Sequence, residues 1–273
     1  MKQEILEKLH QTLQEILDEI VRVCEENNLT YYLFAGTLIG VVRHKGFIPW
    51  DDDIDITMPR KDYDKFCEIY RNIHNTDYYM LDNVSDEKYW LPYGKLCKKN
   101  TSFLEKTGED KGLFVDIFPM DKMRSKKLRW DRFRAKLHYM ANIVILRRLY
   151  PGSWETPQGK ILSCLCCCIS TKSLRQFQHW ILTRAENDNR SDLYCTMILY
   201  SYGIDRFIAP ISYYKPCSKL EFEGKSYSVP SNFDAVLTTH YGEYMQIPPK
   251  EKQVTHNPKR LSFDTNGPDE VLD

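Results

Sequence analysis

Four aspartates fall within five positions, Asp51, Asp52, Asp53 and Asp55, just after Trp50 and interleaved with Ile54 and Ile56. From Asp53 to Ile56 acids and isoleucines alternate, the period of a strand with one buried face. On such a strand residues two apart share a face, so Asp51, Asp53 and Asp55 stand together while the isoleucines enter the core. Three carboxylates on one face repel each other unless a positive charge lies between them. Their oxygens suit a hard divalent cation, Mg²⁺ where phosphates are handled, or Mn²⁺ in its place. A solvated turn would explain Asp51 and Asp52 but not the alternation that follows. A calcium loop fits Asp51, Asp53 and Asp55, but it needs Gly where Ile56 stands and Glu where Asp62 stands.

A further acid lies in Gly112-Leu113-Phe114-Val115-Asp116-Ile117-Phe118-Pro119. Asp116 sits inside an otherwise apolar strand, and a lone buried carboxylate needs a cation or a donor. The metal site supplies that partner, which makes Asp116 a third catalytic carboxylate and metal ligand beside Asp53 and Asp55. The competing role is a structural Asp that caps the next turn. Upstream, Gly36-Thr37 stands at a strand-to-helix turn, where backbone N–H groups can approach a phosphate. Arg43 can grip phosphate oxygens with two parallel bonds, and His44 and Lys45 adjoin it. Lys95, between Gly94 and Leu96, either reaches into a phosphate site or snorkels from a sheet edge.

The elements that must carry these residues are legible in part. Leu6, Leu9, Leu13, Ile16, Ile20 and Val23 recur at steps of three and four, predicting a helix over 2–26 that ends at Asn27-Asn28. It is expected to pack along the core, although a homodimer seam has the same pattern. Residues 30–35 read as a strand, and Tyr63, Phe66, Tyr70 and Ile73 mark an amphipathic helix after Pro59. Strands are expected over 78–82 and 89–97, with Pro92 placing the second at an edge or bulge. Residues 124–150 read as a basic helix with Trp130, Phe133, Leu137 and Met140 facing inward and Arg129, Arg132, Arg134 and Lys136 facing out. Such a face is usually solvated; a polyanionic acceptor or anionic lipid is the alternative, and hence a peripheral membrane contact. Pro151-Gly152-Ser153 breaks the chain, and helices follow over 157–169 and 173–188. A hairpin is expected over 219–229 around Glu223-Gly224, then a short helix over 234–239 and a loosely ordered tail after His256.

The 273 residues can bury a full core, and a formal net charge of zero provides no global field toward nucleic acid. Nine cysteines at irregular spacing, four of them in 164–168, form no zinc pattern and read as free thiols of a reducing cytosol. The apolar run 161–169 is too short to span a bilayer and is expected to be a buried helix. No positively charged segment leads an apolar one at the N-terminus, which is consistent with a cytoplasmic protein.

The run from Leu38-Ile39-Gly40-Val41-Val42-Arg43-His44 through Pro49-Trp50-Asp51-Asp52-Asp53-Ile54-Asp55 resembles the LicD family. That family is similar to the phosphocholine transferases of bacterial surface glycans and to fukutin-type sugar phosphotransferases. Phe222, Gly224, Pro230, Tyr241-Gly242, Pro248-Pro249 and His256 resemble its C-terminal signature, so the likeness runs along nearly the whole chain. It implies an α+β fold: a nucleotidyltransferase-like core with a mixed sheet flanked by helices, over 1–150, and a mainly helical substrate-binding part over 151–273. It implies Gly36-Thr37 as the phosphate turn, Asp53 and Asp55 as the paired metal acids and Asp116 as the third. Ala35 and Thr37 flank Gly36, where the wider superfamily has a second small residue. The implied reaction moves phosphocholine from CDP-choline to a hydroxyl of a glycan or teichoic acid precursor, lipid-linked in some cases. A polyol- or sugar-phosphate from another CDP- or UDP-linked donor is the alternative, and a glycosyltransferase or a silent glycan-binding module would be further ones. Arg43, His44 and Lys95 would neutralise phosphate, and His256 would touch the donor. Trp50, Trp90 and Trp154 are candidates for the choline head group, which favours aromatic faces.

Overall fold

In a computed structural model the described residues are 2–74, 76–105, 110–151, 157–165, 167–253, 255–256, 258–264 and 270–271. In chain order, helix α1 (Gln3–Asn27) leads to β1 (Tyr32–Leu33), α2 (Ala35–His44), β2 (Asp55–Pro59) and α3 (Arg60–Asn72). Strands β3 (Tyr78–Leu81), β4 (Gly94–Lys98), β5 (Ser102–Leu104), β6 (Asp110–Lys111) and β7 (Phe114–Met123) follow. Helices α4 (Leu128–Leu149), α5 (Pro157–Leu165) and α6 (Thr171–Thr183) precede β8 (Leu193–Cys195), β9 (Ile208–Pro210) and α7 (Ile211–Tyr214). The hairpin β10 (Ser218–Phe222) and β11 (Lys225–Val229), α8 (Phe233–Tyr241), β12 (Arg260–Ser262) and β13 (Glu270–Val271) complete the chain.

The main sheet is mixed, in the order β1-β2-β7-β4-β3, with β8 and β9 continuing from the far half of β7. Strands β2 and β7 run parallel and every other pairing is antiparallel. This is the expected α+β class. One face of the sheet buries Ile54, Ile56, Met58, Leu96, Val115 and Ile117 in one cluster with the apolar stripe of α1 and with Tyr63, Phe66 and Tyr70 of α3. Leu9, Ile16, Leu17 and Ile20 of α1 are completely buried, and each such side chain contributes about 1.5–3 kcal/mol. Helix α1 therefore packs on the core as its spacing predicts, and it ends where Asn28 turns left-handed at φ 53°.

Several expectations need correction. The strand expected over 30–35 shrinks to Tyr32–Leu33, because the chain reverses at Ala35 (φ 46°) to start α2. The strand expected over 89–97 begins at Gly94. Before it, Arg175 donates to the carbonyls of Asn83, Glu87 and Tyr89 and holds the segment as a loop, so Pro92 stands outside the sheet. Lys95 is on no edge: β4 lies between β7 and β3.

Helix α4 follows the expected faces only in part: Arg129 and Lys136 are exposed and Leu137 packs against a buried cluster, but Trp130, Phe133 and Arg134 are on the opposite sides from those expected. Trp130 and Phe133 are 55% and 45% exposed, while Arg134 is fully buried. The cause is a buried ionic knot. Asp131 accepts from Arg124 and Arg134, and Arg134 spends its remaining donors on the carbonyls of Lys122, Ile181 and Leu182. The buried helix expected over 161–169 is also corrected. Ile161, Cys164, Cys167, Cys168 and Ile169 are exposed, whereas Cys166 lies outside the described residues. The hairpin and the short helix after it form as expected. Among the described residues of the tail, Arg260–Ser262 are not loose: β12 pairs with β5.

Candidate active site

Helix α2 and the loop that follows it are set by two close approaches. A Cβ on Gly36 would lie 2.8 Å from an Asp51 carboxylate oxygen, and one on Gly40 would lie 2.5 Å from the carbonyl oxygen of Gly46. Glycine at both places lets the loop fold back over the start and middle of the helix. The loop is fixed from two further sides. The His10 ring of α1 stacks on Phe47 at 3.7 Å, and its Nε2 lies 2.8 Å from the Asp51 carbonyl oxygen. Glu223, at the hairpin tip, accepts from the Phe47 N–H at 3.1 Å.

This brings the aspartate run to the head of β2. The strand starts only at Asp55, so the alternation from Asp53 is partly a loop, yet Ile54 and Ile56 are fully buried as expected. Asp55 pairs in register with Asp116 on β7, and Asp116 pairs with Lys95 on β4. One row across three strands thus carries two acids and one base. The Lys95 ammonium donates to Asp116 inside the protein and sits 3.6 Å from the centre of the Phe114 ring. The Thr37 hydroxyl, buried, accepts from the Asp55 N–H at 2.9 Å.

Burial and mutual repulsion act together on these acids. Burial first, then the charges of Asp53 and Asp52, push the Asp51 carboxyl up to about 8. Burial also raises Asp53; the charge of Asp116 adds to this, while His256 and Lys95 pull the other way. Asp55 is raised well above the usual carboxylate range by burial, then by Asp53, Asp116 and Asp51. A carboxyl set so reluctant to carry its full charge is complementary to a hard cation and fits Mg²⁺ or Mn²⁺.

Two participants escape the sequence reading. Asp52 is 2% exposed and accepts from the His256 N–H at 2.9 Å, with His256 Nδ1 at 3.3 Å. The same nitrogen is 3.5 Å from Asp53, and ligand atoms of Asp52, Asp53 and His256 all lie within 4.8 Å of one another. The hydrogen bond to Asp52 is the main reason the His256 pKa is pushed up to about 9. Strand parity assigns Asp52 to the wrong side because residues 51–54 are not a strand. His10 is the other; it is a polar residue next to the apolar stripe of α1, which offers no signal by itself.

The remaining predicted residues lie at varied distances from this cluster. Arg43 donates to His44 at 2.9 Å and to the carbonyls of Tyr244 and Gln246, so the C-terminal segment holds its guanidinium. Burial lowers the pKa of both Arg43 and His44, and the Asp51 charge reaches Arg43. Trp50 is half-buried in the turn before Asp51. Trp90 is half-buried against the cluster of Val144, Ile145 and Leu174, which favours a packing role, and Trp154 lies outside the described residues. A separate cleft of about 1180 Å³ runs between α3, the loop before β4 and α6. Asp51, Asp52, Asp53, Asp55 and Asp116 are not among its lining residues; Tyr93, whose ring centre lies 5.5 Å from Lys95 Nζ, stands between the two places.

Residues 28–145 match the family model of the LicD/FKTN/FKRP nucleotidyltransferase domain. The chain is similar to the lipopolysaccharide cholinephosphotransferase LicD of Haemophilus influenzae, with 30% identity over 94% of this chain and 97% of that one. It is also similar to the ribitol 5-phosphate transferase FKRP of Mus musculus, 29% identical over 39% of this chain and 20% of that protein. A Rickettsia typhi protein of unassigned activity is 26% identical over 55% of this chain and 49% of its own length.

Proposed function

This chain belongs to the LicD family, and from that premise we propose that it moves phosphocholine from CDP-choline to a hydroxyl of a surface glycan or its precursor. It is a phosphotransferase, as its named relatives are. The observation that carries the proposal is the side-by-side placement of Asp55 and Asp116, with Asp53 next to them, at the strand end where α2 begins. Such a set is what a nucleotidyltransferase-like core requires.

In this reading Asp53, Asp55 and Asp116 would hold Mg²⁺ or Mn²⁺, with Asp51 next to Asp53. The cation, when bound, offsets the charge of the donor's diphosphate. The chain's own groups do the rest. Lys95 fixes Asp116 in place, and Asp116 accepts the proton of the attacking hydroxyl. The acceptor oxygen bonds to the phosphorus that carries choline, the bond from that phosphorus to the bridging oxygen breaks, and CMP leaves. His256, protonated near neutrality, and Arg43 draw the phosphate oxygens. The backbone at Gly36 and the start of α2 offer N–H groups to the same oxygens. We place the reaction in the cytoplasm; the described cysteines are free, as in a reducing compartment.

A second reading keeps the chemistry and changes the cargo to ribitol phosphate. The similarity to a ribitol 5-phosphate transferase over 107 residues favours it. The test is CMP release with Mg²⁺ from CDP-choline and from CDP-ribitol, with and without a glycan acceptor. Turnover with CDP-choline alone selects the first reading and with CDP-ribitol alone the second. Full turnover by Asp53→Ala and Asp55→Ala would refute both.

A further inference from the structure

Charge is distributed very unevenly along this neutral chain. Between Lys122 and Arg184 there are fourteen lysines and arginines against two acids, Asp131 and Glu155, a net charge of +12. Asp131 is consumed inside the protein by Arg124 and Arg134. Helices α5 and α6 contain no acid at all. The same segment displays most of the large apolar side chains left in water: Trp130, Phe133, Ile161, Ile169, Phe177 and Trp180, between 37% and 63% exposed.

These side chains are not scattered. Helices α4 and α6 pack antiparallel: Arg134 reaches the carbonyls of Ile181 and Leu182, Gln178 that of His138, and Arg148 that of Ile169. At 3.6 residues per turn, Trp130 and Phe133 lie about 40° and about 100° to one side of Arg134. Phe177 lies about 100° from Gln178, and because the helices are antiparallel this is the same side of the contact. Trp130 touches Phe133 at 5.6 Å between ring centres, Phe177 touches Trp180 at 6.1 Å, and Arg184 lies 4.8 Å over the Trp180 ring. Exposed Arg129, Lys136 and Arg184 border the two aromatic pairs.

We propose that the paired outer face of α4 and α6 docks on an anionic bilayer surface, its aromatic rings entering the headgroup region and its basic side chains meeting lipid phosphates. Aromatic rings with a polar edge settle at the membrane interface, and cationic side chains beside them are attracted to acidic lipid. A bilayer is favoured over a second copy of this chain, because two such faces would bring like charges together. Among the described residues no helix is long and apolar enough to cross a membrane, so the contact is peripheral.

The experiment is co-sedimentation of the full chain with vesicles of phosphatidylcholine alone or mixed with phosphatidylglycerol, with tryptophan fluorescence read in parallel. The expected result is binding to the mixed vesicles only, weaker at high salt, with a blue-shifted emission. Each basic side chain near the surface is worth about fivefold in partitioning, so Arg129→Gln with Lys136→Gln should weaken binding roughly 25-fold. Trp130→Ser and Trp180→Ser should weaken it too and remove most of the blue shift, with the thermal midpoint unchanged because both rings are exposed. Equal binding to both vesicle types, or tryptophan variants that bind like the parent, would overturn the proposal. So would concentration-dependent dimerisation abolished by the same tryptophan variants, or a single-stranded oligonucleotide that binds this face more tightly than the mixed vesicles do.

Discussion

Asp55 and Asp116 face each other in register across the parallel strands β2 and β7, and only Asp116 has an ammonium in contact with it. The same substitution should therefore act oppositely on stability at the two places. Asp55→Asn removes a repelled, partly buried charge and should raise the thermal midpoint of the metal-free protein by a few degrees, the size of about 1 kcal/mol in a chain this long. Asp116→Asn strands the buried Lys95 charge and should cost about 3–5 kcal/mol. Both should reduce turnover by roughly 10²–10³-fold. Calorimetry with and without Mg²⁺ checks this: the cation should raise the midpoint of the parent and of neither variant. A midpoint for Asp55→Asn below the parent's would contradict the account.

Gly36 and Thr37 position the acids without contributing charge. Gly36→Ala puts a methyl group 2.8 Å from the Asp51 oxygen, and the carboxylate must move. Displacements near 1 Å in a phosphoryl-transfer site cost up to about 10²-fold, so turnover should fall with little loss of stability. Thr37→Val leaves the Asp55 N–H without its acceptor and should cost about 1–3 kcal/mol, while Thr37→Ser restores both stability and rate. A Thr37→Ser variant no better than Thr37→Val would show that the hydroxyl is not what matters.

The knot around Asp131 should behave as one unit. Asp131→Ala leaves Arg134 buried without its carboxylate and should destabilise by about 3–5 kcal/mol. Arg134→Leu leaves the carbonyls of Lys122, Ile181 and Leu182 unpaired and should cost a similar amount. The double variant should lose clearly less than the sum, since each single change already breaks the same contacts. Urea titrations of the four proteins read this; strict additivity would dissolve the knot.

These cases show what sequence carries and where it stops. Local periodicity is enough for α1 and α3, whose buried stripes obey helical spacing, and for the hairpin around Glu223-Gly224. It fails at α4, where polarity is the wrong guide: Arg134 is inside because backbone carbonyls of a distant helix need its donors. No neighbour of Arg134 in the chain carries that information. Around the aspartates, alternation correctly buries Ile54 and Ile56 but misplaces Asp52, because parity holds only on a strand and β2 starts at Asp55. The supports from His10 and Glu223 arise at opposite ends of the chain and become visible only in three dimensions.

Two buried histidines give a pH dependence whose sign can be worked out. Burial, aided by Arg60, lowers the His138 pKa to about 3, and burial, aided by Arg206, lowers that of His240 to about 4. His138 Nδ1 and His240 Nε2 are buried without a hydrogen-bond partner, in keeping with neutral rings. In the unfolded chain both titrate near 6.5. Below that pH the unfolded state takes up protons the folded state refuses, so their contribution is whole above about 6.5 and is lost as pH falls toward the folded values. His256 works in the opposite sense: its raised pKa stabilises below about 6.5, and that gain is lost as pH rises through about 9. The raised carboxylates overlap the acid window, so the useful measurement is a difference. Stability of the parent minus that of His138→Leu, followed by urea unfolding from pH 7 down to pH 4, should fall by up to about 1.4 kcal/mol per pH unit. A difference that stays flat over that range would mean His138 is protonated in the folded protein.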